Sequence, residues 1–179
     1  LMESCGSSNH WGREFSLLGH DVKLISPQHV KPYVGHHKND YKDTEAIIES
    51  GTRPRTKFVK IKTLAQQDIQ SIVRIRDRLV STRVRLSNQI RGLLLEYGVF
   101  INKGFKALRV ACVELLSPEN ISLTDLMKDV LRDVYTEFLE LTSRINSYDK
   151  KMELISEENE YCRLLKTIPG VGTISSMSR

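Results

Sequence analysis

Two aspartates, Asp40 and Asp43, lie three residues apart in a short segment with helical apolar spacing. On a helix, both carboxylates project from the same face and can ligate one Mg²⁺ ion together. Two-metal phosphoryl-transfer sites use such clustered carboxylates, because divalent cations offset the repulsion between like charges. The same spacing suits an ordinary helix start, with Asp40 as N-cap and Asp43 three residues on. Spacing alone leaves metal binding and helix capping both open.

The second chemical feature is a basic segment in the middle of the chain. Residues 53–106 contain 13 basic and 3 acidic residues, a local net charge of +10 in a chain whose total is +5. Such a concentration of positive charge is typical of proteins that bind the phosphate backbone of nucleic acids. Residues 114–160 carry 12 acidic and 5 basic residues. The basic segment could therefore pair instead with this acidic one, within the fold or across a dimer.

The basic segment also has the apolar periodicity of a long helix, from about residue 64 to 97. Arg76 and Arg83 stand at two positions of its apolar seam, which is unfavourable unless the charges are solvated or face acidic side chains. Other arginines lie on a neighbouring face, where phosphate can reach them. The candidate nucleic-acid-binding arginines are Arg74, Arg78, Arg85 and Arg91.

A second long helix is predicted from residue 127 to 162, where apolar residues recur at steps of four and three without interruption. This repeat is typical of a coiled-coil seam. At 1.5 Å per residue, each long helix would be roughly 50 Å long. The matched lengths favour an antiparallel helical hairpin with a short helix at 107–116 near its tip. A self-associating coiled coil is the alternative.

The C-terminal segment predicts a helix followed by a Pro-Gly-Val-Gly turn. A Gly-x-Gly turn between helices lets the backbone N–H groups of Gly170 and Gly172 approach a phosphate closely, as in helix-hairpin-helix modules. A plain turn between two helices explains the same residues. Both interpretations remain open from the sequence.

The first 52 residues have a mixed pattern, with a helix ending at Gly19, an alternating strand-like run at 20–25 and a second helix from Asp40 to Gly51. The predicted fold class is therefore α+β and mostly α. Three regions are predicted: a mixed α/β domain at 1–52, a basic helical and coiled-coil region at 53–163, and the start of a further domain at 164–179.

Several classes of protein are excluded by composition and pattern. The longest apolar stretches fall short of the ~18 residues that a bilayer span needs, so no membrane segment is predicted. The N-terminus lacks the basic and apolar regions of a secretion signal, and the cytoplasm is expected. Three scattered cysteines make a disulfide framework or a structural zinc unfavourable. The adjacent His36 and His37 are expected in a solvated loop.

An ordered set of motifs resembles the DEDD-type insertion-sequence transposases, the insertion-sequence family one-ten, whose nuclease domain is RuvC-like. The resemblance covers essentially the whole chain. The motifs that carry it are Met2-Glu3-Ser4-Cys5-Gly6-Ser7-Ser8-Asn9-His10-Trp11-Gly12-Arg13-Glu14, Gly19 to Val34, Lys38 to Ile47, Arg74 to Val80, Asn88 to Gly98, and Ile168-Pro169-Gly170-Val171-Gly172.

The resemblance implies a function for the acidic residues. The family has four metal-binding acids on an RNase H-like fold, and Glu3, Asp40 and Asp43 match the last three. The first aspartate is expected upstream of Leu1, and the family's serine nucleophile beyond Arg179. The chain is thus expected to be truncated at both ends relative to the family: a partial RNase H-like domain, a helical hairpin and the opening of the C-terminal transposase domain.

Activity and partners follow from the same resemblance. Full-length relatives are expected to cut and rejoin element DNA with Mg²⁺, to use a structured guide RNA, and to work as homo-oligomers through the helical region. A location in the bacterial cytoplasm with the nucleoid is implied. The fragment alone is expected to be inactive, because it lacks one metal ligand and the serine. The open alternatives are a non-enzymatic nucleic-acid-binding protein and a dimerising coiled coil.

Overall fold

The structure, a computed structural model, describes residues 1–35 and 39–177. His36 and His37, for which the sequence predicts a solvated loop, lie outside the described residues, as do Lys38, Ser178 and Arg179. The described chain is mostly helical with one small sheet, so the α+β, mostly α class is confirmed. It divides into two compact units, one of residues 1–67 and one that begins at Asp68.

The first unit is built around a three-stranded sheet in the order β1 (Met2–Glu3), β2 (Leu24–Ile25) and β3 (Phe58–Val59). The central strand β2 pairs parallel with β1, with Glu3 opposite Ile25, and antiparallel with β3. Both residues of β2 are fully buried. Its helices are α1 (Ser8–Leu17), α2 (Pro27–Val30) with a 3₁₀ turn at Lys31–Tyr33, and α3 (Asp40–Thr52).

Two details of this unit differ from the sequence prediction. The strand predicted at 20–25 is only two residues long, because β1 offers a partner for Leu24 and Ile25 alone while His20, Asp21 and Lys23 are exposed. The sequence did not indicate β3, which lies beyond the predicted boundary at residue 52 and completes the sheet.

The second unit contains α4 (Leu64–Leu95, of which the part from Asp68 belongs to this unit), α5 (Phe105–Leu115), α6 (Asp125–Glu158), α7 (Glu160–Lys166) and α8 (Thr173–Met177). The helices α4 and α6 run antiparallel, because the N-terminal half of α4 meets the C-terminal half of α6 at Arg76 and Asp149. One apolar core joins α4, α5 and α6, and it includes Leu79, Leu86, Ile90, Leu94, Leu108, Cys112, Leu131, Phe138 and Ile145. Burial of these side chains stabilises the antiparallel arrangement.

The uninterrupted helix predicted to residue 162 is wrong at Asn159. Its ψ angle of 116° takes the backbone out of the helix, so α6 ends there and α7 begins. The side-chain oxygen of Asn159 accepts a hydrogen bond from the backbone N–H of Cys162 at 3.1 Å. Asparagine is a favoured N-cap because its short side chain satisfies such N–H groups. A second small core of Val73, Met152, Cys162 and Met177 holds α7 and α8 against the long helices.

Candidate functional site

The three candidate catalytic carboxylates all lie in the first unit. Glu3 is half-buried on β1, directly opposite Ile25 in the parallel register. Paired residues in neighbouring strands project to the same side of a sheet. Ile25 packs with Val30 and with Ala46 of α3 in one core cluster. Glu3 therefore lies on the face of the sheet that α3 covers.

A close approach at the end of α3 supports this placement of β1. A side chain at Gly51 would meet Leu1 and Ile25, so the helix backbone passes directly over these two residues. Leu1 precedes Glu3 by two positions, and residues two apart in a strand share a face. Leu1, Glu3 and Ile25 thus form one surface beneath α3.

On α3, Asp43 lies on the buried side of the helix. It precedes Ala46 by three residues and Ser50 by seven, the spacing that places side chains on one helix face. Ala46 and Ser50 are buried, and the Ser50 hydroxyl donates to the His29 carbonyl at 3.0 Å. Asp43 itself is half-buried, and Asp40 is exposed in the preceding turn. Glu3 thus lies on the side of the sheet that packs against α3, and Asp43 lies on the inward side of that helix.

The interpretation of Asp40 as the N-cap of this helix is wrong. The N-cap is Asn39, which has extended backbone angles and whose side-chain oxygen accepts from the Lys42 N–H at 2.9 Å. Asp40 already has helical geometry as the first residue of α3. Both aspartates can still interact favourably with the positive end of the helix dipole, but neither carboxylate is used for capping.

The acidic residues do not form a complete metal site in the described part of the chain. Among residues 1–35 and 39–177, no group of three or more His, Cys, Asp or Glu side chains is arranged to hold a metal ion. The chemistry of the donor set suits Mg²⁺, which prefers carboxylate oxygens. Glu3, Asp40 and Asp43 as metal ligands therefore stay a prediction.

The candidate nucleic-acid-binding surface lies on α4. Arg74, Arg78 and Arg85 are exposed, and their spacing of four and seven residues places them in one row along the helix. Arg85 makes a long contact of 3.4 Å with the Thr82 hydroxyl. We call these three residues the basic stripe. Their positive charges face solvent, where a phosphate backbone can approach.

The two arginines of the apolar seam have different partners. Arg76 donates from Nε to Asp149 at 2.8 Å and contacts Asp77 at 3.4 Å. The hydrogen bond to Asp149 raises the pKa of Arg76 above its ordinary value. Arg83 stacks on the ring of Phe105, with its guanidinium carbon 4.4 Å from the ring centre. Burial lowers the pKa of Arg83, and the nearby charge of Arg76 adds to this effect.

Arg91, the fourth predicted nucleic-acid-binding arginine, has a different environment from the basic stripe. Its guanidinium donates to the carbonyl oxygen of Ser87 at 3.1 Å and to that of Gly104 at 2.8 Å. It therefore links α4 to the loop that leads into α5. Its Nε is buried without a hydrogen-bond partner among the described residues. Binding of nucleic acid by Arg91 stays a prediction.

The Pro-Gly turn near the C-terminus connects α7 to α8. The backbone N–H of Val171 donates to the Ile168 carbonyl at 3.1 Å, and Gly170 has a φ angle of 85°. Proline followed by a residue with positive φ is typical of a type II turn, in which glycine avoids a steric clash. Nothing lies within 4 Å of a Cβ placed on Gly170 or Gly172. Phosphate binding by these two glycines stays a prediction.

Sequence reasoning missed a cavity in the second unit. Its lining includes Lys106 and Arg109 of α5 together with Phe105, Tyr135 and Phe138. The available signal was the combination of one aromatic residue, Phe105, with two basic residues in the first turns of α5, since aromatic and basic residues together are typical of nucleic-acid-binding surfaces. None of the described helices is both long enough and apolar enough to cross a bilayer.

Comparison with known proteins identifies relatives. A family model of DEDD-type IS110 transposases, described as a transposase, matches residues 6–99. The chain is 44% identical over 178 residues to the transposase for insertion sequence element IS1111A of Coxiella burnetii, covering 99% of this chain and 49% of that protein. It is 38% identical over 176 residues to the transposase for insertion sequence element IS1328 of Yersinia enterocolitica, covering 98% and 52%.

A third relative is a probable family 20 transposase of Pseudomonas aeruginosa, 38% identical over 176 residues, which cover 98% of this chain and 52% of that protein. The chain therefore spans about half the length of the curated relatives that it matches. No solved structure shows significant similarity to the chain.

Proposed function

The chain belongs to the IS110 family of DEDD-type transposases, and on that premise we propose that it forms part of an enzyme that cuts and rejoins DNA in the movement of an insertion sequence. The observation that carries the proposal is that Glu3 pairs with Ile25, which packs against Ala46 of α3, while Asp43 lies three residues before Ala46 on the same face of that helix. Carboxylates gathered between a strand and a helix can hold the divalent ions that phosphoryl transfer requires.

We propose a role for each region of the chain. Residues 1–52 contribute the RuvC-like, RNase H-like nuclease domain. Residues 53–163 form the basic helical region, in which α4 and α6 pack as an antiparallel coiled coil. Residues 164–179 open the C-terminal transposase domain. The antiparallel pairing at Arg76 and Asp149 supports the second of these assignments.

Glu3, Asp40 and Asp43 are the proposed Mg²⁺ ligands and catalytic carboxylates of the whole protein. When bound, the metal activates the attacking oxygen and stabilises the leaving oxygen of a phosphodiester. The carboxylates would position the metal, with Asp43 on the half-buried side of α3 and Asp40 exposed in its first turn. The described residues do not assemble three ligands. We therefore propose that this chain alone does not cleave DNA.

The basic stripe is the proposed contact with nucleic acid, either element DNA or a structured guide RNA. Three exposed arginines in one row form a positively charged strip along which a phosphate backbone can lie. Arg91, on the same helix, is a further proposed contact with the nucleic acid. The backbone N–H groups of Gly170 and Gly172 are proposed to bind another phosphate of the strand. We further propose that the helical region forms the homo-oligomer and that the protein works with the nucleoid in the bacterial cytoplasm.

The nucleic-acid contact is tested by changing Arg74, Arg78 and Arg85 together to Gln. Each lost phosphate contact lowers the slope of log affinity against log salt by about 0.9 on duplex DNA, so the triple variant should lose about 2 to 3 units of slope. The matched control removes three exposed cations of α6 instead: Arg144, Lys150 and Lys151. An equal loss of slope in the control would contradict the proposed surface.

The absence of cleavage is tested with the 179-residue chain, Mg²⁺ and supercoiled DNA. We expect no nicking. Nicking that disappears in Asp40→Asn would show that the chain is active alone and would contradict the proposal. A dimer that is insensitive to salt and has no affinity for DNA or RNA would favour the alternative of a dimerising coiled coil. Binding that is indifferent to Asp40 and Asp43, without cleavage by any longer form, would favour a non-enzymatic binding protein.

A further inference from the structure

An open cavity of about 630 Å³ lies in the second unit, where α5 meets α4 and α6. Cavities that hold small ligands are roughly 300–1,000 Å³. No residue of the basic stripe lines this cavity. Its lining combines aromatic, aliphatic and cationic side chains: Arg83, Phe105, Lys106, Arg109, Val110, Val113, Glu114, Tyr135, Phe138 and Thr142.

The aromatic part of the lining consists of three rings in contact. Tyr135 and Phe138 are nearly parallel, with their ring centres 6.3 Å apart and an angle of 12°. Phe105 contacts Phe138 at 5.7 Å and is inclined by 51°. Phe138 is buried, whereas Phe105 and Tyr135 are half-buried and line the cavity. Half-buried rings of this kind offer a stacking surface to a flat ligand.

Arg83 supplies an unused hydrogen-bond donor at this site. Its guanidinium lies over Phe105, and its Nε is buried with no partner in the part of the chain that the structure describes. A buried donor without a partner is unfavourable unless a ligand provides an acceptor. Guanidinium planes also stack on nucleobases, so both the face and the edge of Arg83 suit a base.

The mouth of the cavity is positive. Lys106 and Arg109 are exposed on the first turns of α5, beside the exposed apolar side chains Val110 and Val113. Neither cation forms an ion pair or a side-chain hydrogen bond among the described residues. The lining therefore contains three cations, Arg83, Lys106 and Arg109, and one carboxylate, that of Glu114. The site therefore favours a ligand that is both aromatic and anionic.

We propose that this cavity binds one unpaired nucleotide of a nucleic acid strand, with the base against Phe105 and Tyr135 and its phosphate on Lys106 and Arg109. The proposal rests on the proposed function, because it assigns part of the nucleic acid to a second surface. An apolar helix of a second copy is the poorer occupant, because it would bury three cations without partners. A nucleotide can stack its base on the aromatic rings and place its phosphate against the cations.

The test uses the 179-residue chain and a DNA duplex with one unpaired 2-aminopurine, a fluorescent base, beside the same duplex fully paired. Stacking on aromatic side chains is worth enough per base to change affinity by about fivefold or more. We therefore expect at least about fivefold tighter binding of the duplex with the unpaired base, together with a change in its fluorescence. An RNA duplex of the same design and free AMP complete the set of probes.

The informative variant is Val113→Asp, which places a negative charge at the mouth on a side chain that is 63% exposed. It should abolish the preference for the unpaired base. Leu154→Asp is the matched control, because Leu154 is 62% exposed on α6 and does not line the cavity. The control should keep the preference. Lys106→Gln with Arg109→Gln, both at exposed positions, gives a second variant if Val113→Asp does not fold.

Three results would overturn the proposal. The first is equal affinity of the wild-type chain for the paired and unpaired duplexes of both DNA and RNA. The second is a preference that both cavity variants retain. The third is binding of free AMP without any preference for an unpaired base in a strand, which would identify a free nucleotide as the ligand. If the chain binds no duplex at low salt, the proposed function fails as well, whereas salt-dependent binding without the preference rejects the cavity alone.

Discussion

The Nε of Arg76 donates a hydrogen bond of 2.8 Å to Oδ1 of Asp149, and this contact joins α4 to α6 at a seam position where the repeat calls for an apolar residue. Seven residues further on, Arg83 is met by the face of Phe105 instead of an acid. The seam thus accommodates two charges in two ways, one through an ion pair and one through a ring.

The pair formed by Arg76 and Asp149 should contribute measurably to stability. The side chains of Arg76 and Asp149 are 19% and 43% exposed, so solvent screens this ion pair less than it screens the pair of Arg132 and Asp129, at 58% and 70%. A double-mutant cycle with Arg76→Gln and Asp149→Asn should give a coupling free energy of about 1 kcal/mol in urea unfolding. The exposed pair Arg132 and Asp129 is the control, with a coupling of roughly 0–0.5 kcal/mol. Equal coupling in both pairs would contradict the role of burial.

Replacement of the two seam arginines by Met should have different effects. Arg83→Met removes a desolvated cation with an unpartnered Nε, so its free energy of unfolding should stay within about 0.5 kcal/mol of the wild type or increase. Arg76→Met leaves Asp149 without its partner and should cost roughly 1–2 kcal/mol. Chemical denaturation of both variants measures the difference. The prediction fails if Arg83→Met is the more destabilising change.

The start of α3 should depend on Asn39 more than on Asp40. Asn39→Ala removes the side-chain acceptor for the Lys42 N–H and should cost about 1 kcal/mol. Asp40→Asn removes only a favourable interaction with the helix dipole, roughly 0.3–1 kcal/mol, which salt screens. Thermal unfolding in low and high salt separates the two effects. A larger, salt-independent cost for Asp40→Asn would restore Asp40 as the cap.

Stability should decrease at alkaline pH through Cys112. Burial in the core of α4, α5 and α6 raises the pKa of this thiol to about 11, while the nearby charge of Arg91 lowers it slightly. In the unfolded chain the thiol ionises near its ordinary pKa of about 8.5. The neutral thiol therefore stabilises the fold fully below that pH, and the contribution is lost as pH rises toward 11.

The contribution of thiol ionisation to the free energy of unfolding is measured by comparing the pH dependence of stability in the wild type and in Cys112→Ala. The wild type should lose up to about 1.4 kcal/mol more per pH unit than the variant across that range. Parallel pH profiles for the wild type and Cys112→Ala would show that Cys112 does not titrate in this way.

The exposed Cys5 should react with a thiol reagent in the folded chain at pH 8, whereas the buried Cys112 and Cys162 should react only on unfolding.

Much of the helical region could be predicted from the sequence. The periodic apolar residues identified α4 and most of α6, and the near-equal lengths favoured their antiparallel pairing, because side-chain burial on one helix face is a local property of the sequence. The break at Asn159 was missed, since asparagine at an apolar position does not reveal whether it continues a helix or caps the next one. The strand β3 was missed because two residues carry no periodicity of their own.

The sequence alone determined which side chains are candidates: the acids Glu3, Asp40 and Asp43, the row of arginines on α4 and the family to which the motifs belong. Only the tertiary structure decided how these side chains are used. Strand register places Glu3 opposite Ile25, the Gly104 carbonyl engages Arg91, and Asp149 rather than solvent meets Arg76. The reason is that each of these contacts joins residues on different elements, and the packing that brings distant residues together is not contained in local spacing.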